Sequence, residues 1–152
     1  MEYPDFRIDF VDRTIEIIDQ LSDKTDYEVT LLINCLFGLI VIPTEVDYRK
    51  LNANYKEDFV NFCTKKLDQY SKVPKRKSKR QLARCMKNAL SHLYIDTVPK
   101  DGKISAVIFK DKRKEDTEFH TEIKFTVNDL KQFALDMASH YSDIIRKRNH
   151  AK

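Results

Sequence analysis

The chain has 152 residues, of which 41% are hydrophobic and 34% are charged. This composition excludes a disordered chain, and the length is typical of one domain with its own core. The formal net charge is only +4, so total charge does not decide between nucleic acid and other partners. With two glycines and four prolines, the sequence favours long regular elements, mainly helices.

The cysteines Cys35, Cys63 and Cys85 are widely spaced and lie among apolar residues. We expect three reduced, buried thiols of a cytoplasmic protein, and neither a metal site nor a cofactor. Residues 1–12 are mixed and acidic, which predicts no signal peptide. The most apolar run, Val29 to Ile42, is shorter than the ~20 residues that cross a bilayer, so no membrane contact is expected.

Hydrophobic periodicity predicts one domain over residues 1–152, a mainly α bundle of four to five helices with a β-hairpin inserted before the last helix. The predicted helices cover about 4–21, 26–42, 54–71, 78–94 and 127–148, and the hairpin covers about 103–125 with strands at 104–109 and 119–125. Thr25 with Glu28 has the spacing of a capping box, and Ser78 and Thr126 are predicted helix N-caps.

A run of basic residues without any acidic residue occupies positions 72–87. Its members are Lys72, Lys75, Arg76, Lys77, Lys79, Arg80, Arg84 and Lys87. Such a run can hold a phosphate chain, and we assign RNA binding to Lys75, Arg76, Lys77, Lys79 and Arg80. The alternative is an ordinary solvated face of a helix.

His92 follows this run, and histidine can move a proton near neutral pH. Cleavage of RNA without a metal needs a base, an acid and a cation at the phosphate. His92 can act as base or acid, Lys87 or Arg84 can hold the phosphate, and Asn88 can orient the imidazole or contact the phosphate. One histidine per chain cannot easily fill both proton-transfer roles, so a dimer with a composite site is expected.

Structural alternatives exist for several of these residues. His92 at a helix end could be only a partner of the helix dipole. Asn34, an amide in an apolar helix, either bonds to a facing helix or supports the His92 region. Tyr94 and Tyr141 either stack on bases or pack in the fold.

The segment from Arg84 to His92 resembles the signature of the HEPN family (higher eukaryotes and prokaryotes nucleotide-binding domain). That signature is an arginine, four to six further residues and a histidine, often with asparagine directly after the arginine. Here Lys87-Asn88-x-x-x-His92 fits, except that lysine replaces arginine. The apolar second helix and the hairpin before the closing helix are also similar to those of small bacterial members.

The resemblance implies a helical bundle that dimerises with its two motifs facing each other. It further implies a metal-independent endoribonuclease without a cofactor, which acts as a toxin paired with a nucleotidyltransferase-like antitoxin, or in defence against phage. The alternative is a degenerate module that binds RNA, nucleotide or a partner protein. Lys87 supports that alternative, since an ammonium group lacks the bidentate grip of guanidinium on phosphate. A helical protein without RNA affinity is a third possibility.

Overall fold

The computed structural model describes residues 6–41, 53–73, 78–112, 115 and 117–150. The α-helices in these ranges are α1 (Phe6–Leu21), α2 (Glu28–Leu36), α3 (Ala53–Tyr70), α4 (Lys79–His92) and α5 (Val127–His150). A 3₁₀ turn (Ser22–Lys24) follows α1, and a π-helical turn (Phe37–Val41) continues α2. The strands β1 (Ile95–Lys100), β2 (Lys103–Asp111) and β3 (Thr121–Thr126) lie between α4 and α5. The predicted mainly α fold is confirmed.

Helix α5 lies at the centre of the fold and contacts α1, α2, α3 and the sheet. Its predicted apolar stripe is buried: Leu130, Phe133, Ala134, Met137, Ala138, Tyr141, Ile144 and Ile145. These residues recur at intervals of three and four, so they share one face of the helix. The stripe therefore forms the surface on which the other elements pack.

The second predicted helix differs from the structure at both of its ends. No side chain caps α2; instead, the hydroxyl of Thr25 accepts a 3.1 Å hydrogen bond from the amide of Tyr27. This local turn uses the hydroxyl before the helix begins, so the predicted capping box is wrong. At the other end, the π-helical turn includes Gly38, where an added Cβ would lie 2.6 Å from the Phe10 ring. Glycine thus permits the close approach of α1. Residues 4–5 and 42 lie outside the described residues.

The predicted caps of α4 and α5 are confirmed. The amide of Gln81 donates to the Ser78 hydroxyl at 3.2 Å, and the Ser78 amide donates to the Gln81 side chain at 2.9 Å. The hydroxyl of Thr126 accepts from the amide of Asp129 at 3.2 Å. Each cap satisfies a helix-terminal amide that has no partner within its helix.

The predicted two-stranded hairpin is corrected to a three-stranded antiparallel sheet with the order β1-β2-β3. Strand β1 contains Pro99, at a register shift after Val98, and lies at the edge of the sheet, where a missing backbone donor is tolerated. Phe119, the predicted start of the last strand, precedes β3. The additional strand and the packing on α4 stabilise what would be a marginal hairpin.

The three cysteines are buried and form no disulfide in the described part of the chain, as predicted. Burial raises the pKa of the Cys35 thiol to about 11 and that of Cys63 to about 12, because the thiolate loses its hydration. These thiols are therefore unreactive parts of the core. None of the described helices combines the length and the apolar composition needed to cross a bilayer.

Candidate nucleic-acid-binding and catalytic site

Helix α4 divides into an apolar face and a polar face. Its buried residues are Leu82, Ala83, Cys85, Met86, Ala89 and Leu90. The residues on the other face are Arg80, Arg84, Ser91 and His92, which are exposed, and Lys87 and Asn88, which are half-buried. Since α4 contains no acidic residue, its solvent-facing side carries only cationic and neutral polar groups up to His92.

The positions of the motif residues around α4 follow from helix geometry. Successive residues turn by about 100°, so Lys87 and His92 project about 140° apart, whereas Asn88 and His92 are about 40° apart. Arg84 and His92 are about 80° apart. In a single chain, Arg84 is therefore better directed than Lys87 to share a phosphate with His92.

The chain turns sharply after His92. The amide of Tyr94 donates to the carbonyl of Ala89 at 2.9 Å, and Leu93 adopts the left-handed conformation with φ of 53°. These features form a Schellman-type helix end in which glycine is the usual residue. Leu93 is also 70% exposed, so packing does not require leucine here. A strained residue thus separates His92 from Tyr94.

Asn88 connects α4 to the sheet. Its side-chain amide donates to a carboxylate oxygen of Asp111 at 3.3 Å. Asp111 ends β2 and is only 9% exposed, so its carboxylate needs a donor to offset lost hydration. Asn88 therefore has a structural partner on β2, and the loop after β2 lies near the motif.

His92 belongs to a group of rings and ammonium groups that are linked through Tyr94 and Phe119; we call it the aromatic–lysine cluster and define it as His92, Tyr94, Phe119, Lys110 and Lys112. The His92 and Tyr94 ring centroids are 5.3 Å apart, and Tyr94 meets Phe119 edge-on at 5.2 Å. The ammonium of Lys112 lies 5.6 Å from the Tyr94 centroid and 5.1 Å from that of Phe119. Lys110 lies 4.9 Å from Phe119. All these distances suit ring-pair or cation–π contacts.

Backbone pairing on β2 positions this cluster. The amide of Lys110 donates to the carbonyl of Tyr94 at 2.9 Å, which fixes Tyr94 beside the strand. Val107, Phe109 and Asp111 are buried. Because side chains alternate along a strand, Lys110 and Lys112 lie on the opposite side from those residues, toward solvent and Tyr94. Lys110 also forms an ion pair with Asp96 of β1.

A protein-family model matches most of the chain. The model described as HEPN pEK499 p136 matches residues 1–148. The chain belongs to this HEPN family. No curated protein and no solved structure is significantly similar to the chain.

The residues of the predicted motif lie on the polar side of α4, where Lys87 and Asn88 are half-buried and His92, at the end of the helix, is exposed. Among the predicted RNA-binding residues, Arg80 is exposed on this side, and the side chain of Lys79 lies outside the described part of the structure. Lys75, Arg76 and Lys77 also lie outside it. Asn34 is exposed on α2, so water satisfies its amide and no buried partner is required; its predicted support of His92 stays a prediction.

Sequence reasoning missed most of the aromatic–lysine cluster. Lys112 falls between the two predicted strands, Phe119 falls in the second of them, and the sequence leaves open whether Tyr94 stacks on bases or packs in the fold. The alternation of Val107, Phe109 and Asp111 was the available signal, since it places Lys110 and Lys112 together. Within the described ranges, no three His, Cys, Asp or Glu side chains are close enough to hold a metal ion.

Proposed function

We propose that the protein is a metal-independent endoribonuclease of HEPN type, which acts in the cytoplasm as a homodimer with a composite site. The observation that carries the proposal is the exposed His92 at the end of an acid-free helix face, with its ring 5.3 Å from the Tyr94 centroid, which the ammonium group of Lys112 approaches to 5.6 Å. A proton-transfer group and a cation that contact the same ring at the surface suit a phosphodiester substrate.

The reaction is an attack by the ribose 2′-hydroxyl on the adjacent phosphorus. A base removes the 2′-hydroxyl proton, the 2′-oxygen–phosphorus bond forms, and the bond from phosphorus to the 5′-oxygen breaks. An acid protonates the departing 5′-oxygen, so the products carry a 2′,3′-cyclic phosphate and a 5′-hydroxyl. Neither water nor an oxidant is consumed. His92 transfers protons, and Arg84, Lys87 and Asn88 are the groups available to contact the phosphate.

The geometry of α4 supports sharing of the site between two chains. Lys87 and His92 project about 140° apart on one helix, so they cannot easily close on one phosphate. A second chain related by a two-fold axis brings a second His92 and a second Lys87 to the same cleft. One imidazole then serves as base and the other as acid, with the cations of both chains at the phosphate.

The predicted biological role is that of a toxin or a defence protein. A nuclease without a metal requirement is active whenever RNA reaches it, so an inhibitory partner is expected; the proposed partner is a nucleotidyltransferase-like antitoxin. Expression of the wild-type chain alone should arrest growth, while expression of His92→Ala should not. Equal growth of the two strains, at equal protein levels, argues against toxicity.

Cleavage of labelled RNA in the presence of EDTA tests the enzymatic proposal. We expect cyclic phosphate ends with the wild type and loss of cutting with His92→Ala, because no other group replaces the imidazole. Circular dichroism should be identical for the two proteins, since His92 is exposed. Equal cutting by both proteins, or no cutting of any RNA by the wild type, contradicts the proposal.

Mixing wild-type and His92→Ala chains tests the composite site. If one cleft needs the imidazoles of both chains, a mixed dimer has only one of them and should cut RNA as poorly as the His92→Ala dimer does. Activity should then fall with the square of the wild-type fraction, because only dimers of two wild-type chains retain both imidazoles. A fall in direct proportion to the wild-type fraction, with mixed dimers verified by native mass spectrometry, means that each site lies within one chain.

The second candidate is a degenerate HEPN module that binds RNA without cutting it. Two observations favour it: Lys87 replaces the motif arginine, and the Asn88 amide is held by buried Asp111. Lys87→Arg separates the candidates, because guanidinium restores bidentate contact with phosphate. Cleavage gained only by Lys87→Arg, together with salt-sensitive RNA binding by the wild type, identifies a degenerate site. Cleavage by both proteins identifies an enzyme.

A further inference from the structure

The aromatic–lysine cluster combines features that proteins use to bind single-stranded nucleic acid. It presents rings on which bases can stack, next to cations that can contact the backbone. Tyr94 is half-buried, whereas Phe119 is 36% exposed and His92 is exposed. Phe119 and His92 therefore lie at the surface of the folded chain, and Tyr94 lies partly at the surface.

The charges of the cluster favour an anionic ligand. Lys110 is already paired with Asp96, but no carboxylate within the described residues forms an ion pair with Lys112. The ammonium of Lys112 contacts the rings of Tyr94 and Phe119, which restricts the side chain before any ligand binds. A cation held in this way loses less conformational entropy when it contacts a phosphate.

His92 and Lys112 both contact the Tyr94 ring, from α4 and from the end of β2 respectively. Phe119 also contacts this ring, so the Tyr94 ring alone separates a phosphate at His92 from Phe119 and Lys112. Each nucleotide of a single strand has a flat base that can stack on a ring and a charged phosphate that can contact an ammonium group.

We propose that Tyr94, Phe119 and Lys112 form a subsite for the nucleotide next to the phosphate at His92, in which a base stacks on the rings and Lys112 contacts the backbone. The proposal rests on the proposed function only in identifying that phosphate as the one that is cut. Binding itself requires no catalysis, so the subsite can be tested separately.

The test compares two uncleavable fluorescent probes at low salt. One is a short 2′-O-methyl oligoribonucleotide of mixed sequence, and the other is an abasic chain of the same length, which has the backbone but no bases. Phe119→Leu and Tyr94→Leu should each weaken binding of the base-bearing probe by about 5-fold to about 100-fold, the range typical of one base–aromatic stack. Binding of the abasic probe should be unchanged.

Matched controls are available elsewhere in the chain. Tyr27 at the start of α2 is 75% exposed, and Tyr27→Leu should bind both probes as the wild type does. Lys112→Gln should reduce the slope of log Kd against log salt by about 0.7 for a single strand, since one backbone contact is lost. Lys65→Gln, at an exposed position on α3, should leave the slope unchanged. Circular dichroism checks that every variant folds.

The outcomes separate the subsite from the nuclease. If the protein binds RNA through Phe119 but cuts none, the subsite is supported and the proposed function is wrong. If Phe119→Leu and Tyr94→Leu cut and bind RNA as the wild type does, the proposed function stands and the subsite is wrong. An equal loss for both probes also overturns it, because the rings then only position the lysines. If the wild type binds neither probe at low salt, the subsite is wrong and a protein partner becomes the better explanation of this surface.

Discussion

Two helices place the same side chain, histidine, in contrasting surroundings. His92 ends α4, is exposed and contacts one face of Tyr94 in a cationic neighbourhood. His140 lies in the middle of α5 against α3, with its ring parallel to that of Phe62 at a centroid distance of 3.9 Å. Water and ligands can reach the first imidazole, whereas the second is part of the packing between two helices.

The surroundings of His140 disfavour its charged form. Burial is the main cause that lowers the pKa of His140, with a smaller contribution from Lys147; Asp143 and Asp58 oppose the shift. Its Nε2 atom is buried without a hydrogen-bond partner among the described residues. A proton on this ring would be poorly solvated, so His140 is a structural residue, while His92 has the access that acid–base chemistry requires.

The contrast shows that residue type alone does not make a histidine a candidate catalytic residue. Solvent access and neighbouring cations distinguish the candidate. Hydrophobic periodicity places His140 beside the buried stripe of α5, and the same reasoning places His92 on the polar side of α4. Four sets of variants test this distinction between a catalytic and a structural histidine.

The largest expected effect is on RNA cleavage by His92→Gln compared with His140→Gln. Loss of a general acid or base typically costs about 100-fold to about 10,000-fold in rate, so His92→Gln should lower kcat/KM by at least about 100-fold. His140→Gln should cut at the wild-type rate, since its ring contacts Phe62 and not the cationic face. Initial rates on a labelled RNA measure both effects. Similar losses in the two variants would remove the distinction.

The second effect concerns how the His92 region is held. Asn88→Ala removes the donor to the buried carboxylate of Asp111, and an unsatisfied buried acceptor costs about 1–3 kcal/mol in free energy of unfolding. Urea unfolding should show this loss. Asn61→Ala, at an exposed position on α3, should change stability by less than about 0.5 kcal/mol. Equal stability of Asn88→Ala and wild type would mean that Asn88 is free to serve catalysis alone.

Local sequence signals predicted much of the helical fold. The stripe of α5 repeats at helical spacing, and Ser78 and Thr126 have side chains that can satisfy the first amides of a helix, so both features follow from nearby residues. The Thr25 prediction failed because the same hydroxyl can close a turn two residues away, as the Tyr27 bond shows. The sequence alone does not show whether the Thr25 hydroxyl caps the helix or closes the turn.

The sheet and the surroundings of His92 depended on contacts that are distant in the chain. Strand β1 contains Pro99 and has only half-buried and exposed residues, so it lacks a strong alternating pattern. The aromatic–lysine cluster joins His92 and Tyr94 to Lys112 and Phe119 through the pairing of β1 with β2. Only the order and register of the strands reveal that proximity. The predicted motif, by contrast, lies within six consecutive residues, Lys87 to His92, and its prediction depended on their resemblance to the HEPN signature.

The third effect concerns the strained residue beside His92. Leu93→Gly should raise the free energy of unfolding by about 1 kcal/mol, because glycine adopts a positive φ without the steric cost that leucine bears. Leu93→Ala keeps the Cβ atom and should give no such gain, which separates strain from loss of an exposed leucine. Thermal or urea unfolding measures both variants. A gain for alanine equal to that for glycine would show that backbone strain is not the cause.

The smallest effect is a pH dependence of stability that arises from His140. Because burial lowers its pKa in the folded chain, the unfolded chain binds a proton more readily below the ordinary histidine pKa of about 6.5. Stability contributed by neutral His140 is therefore present above that pH and decreases as the pH falls through it. The free energy of unfolding of His140→Phe, relative to wild type, should accordingly be higher at about pH 5 than at about pH 8.

His140→Gln distinguishes titration from packing in this last experiment. Glutamine cannot take up the proton but lacks the flat ring that stacks on Phe62, so its stability should be lower than that of the phenylalanine variant at both pH values. Its stability relative to wild type should nevertheless rise by the same amount between about pH 8 and about pH 5, because both substitutions remove the same proton. If the stabilities of the two variants relative to wild type change by different amounts with pH, the packing of the His140 ring, rather than its protonation, causes the pH dependence. His140 then differs from His92 only in its access to solvent.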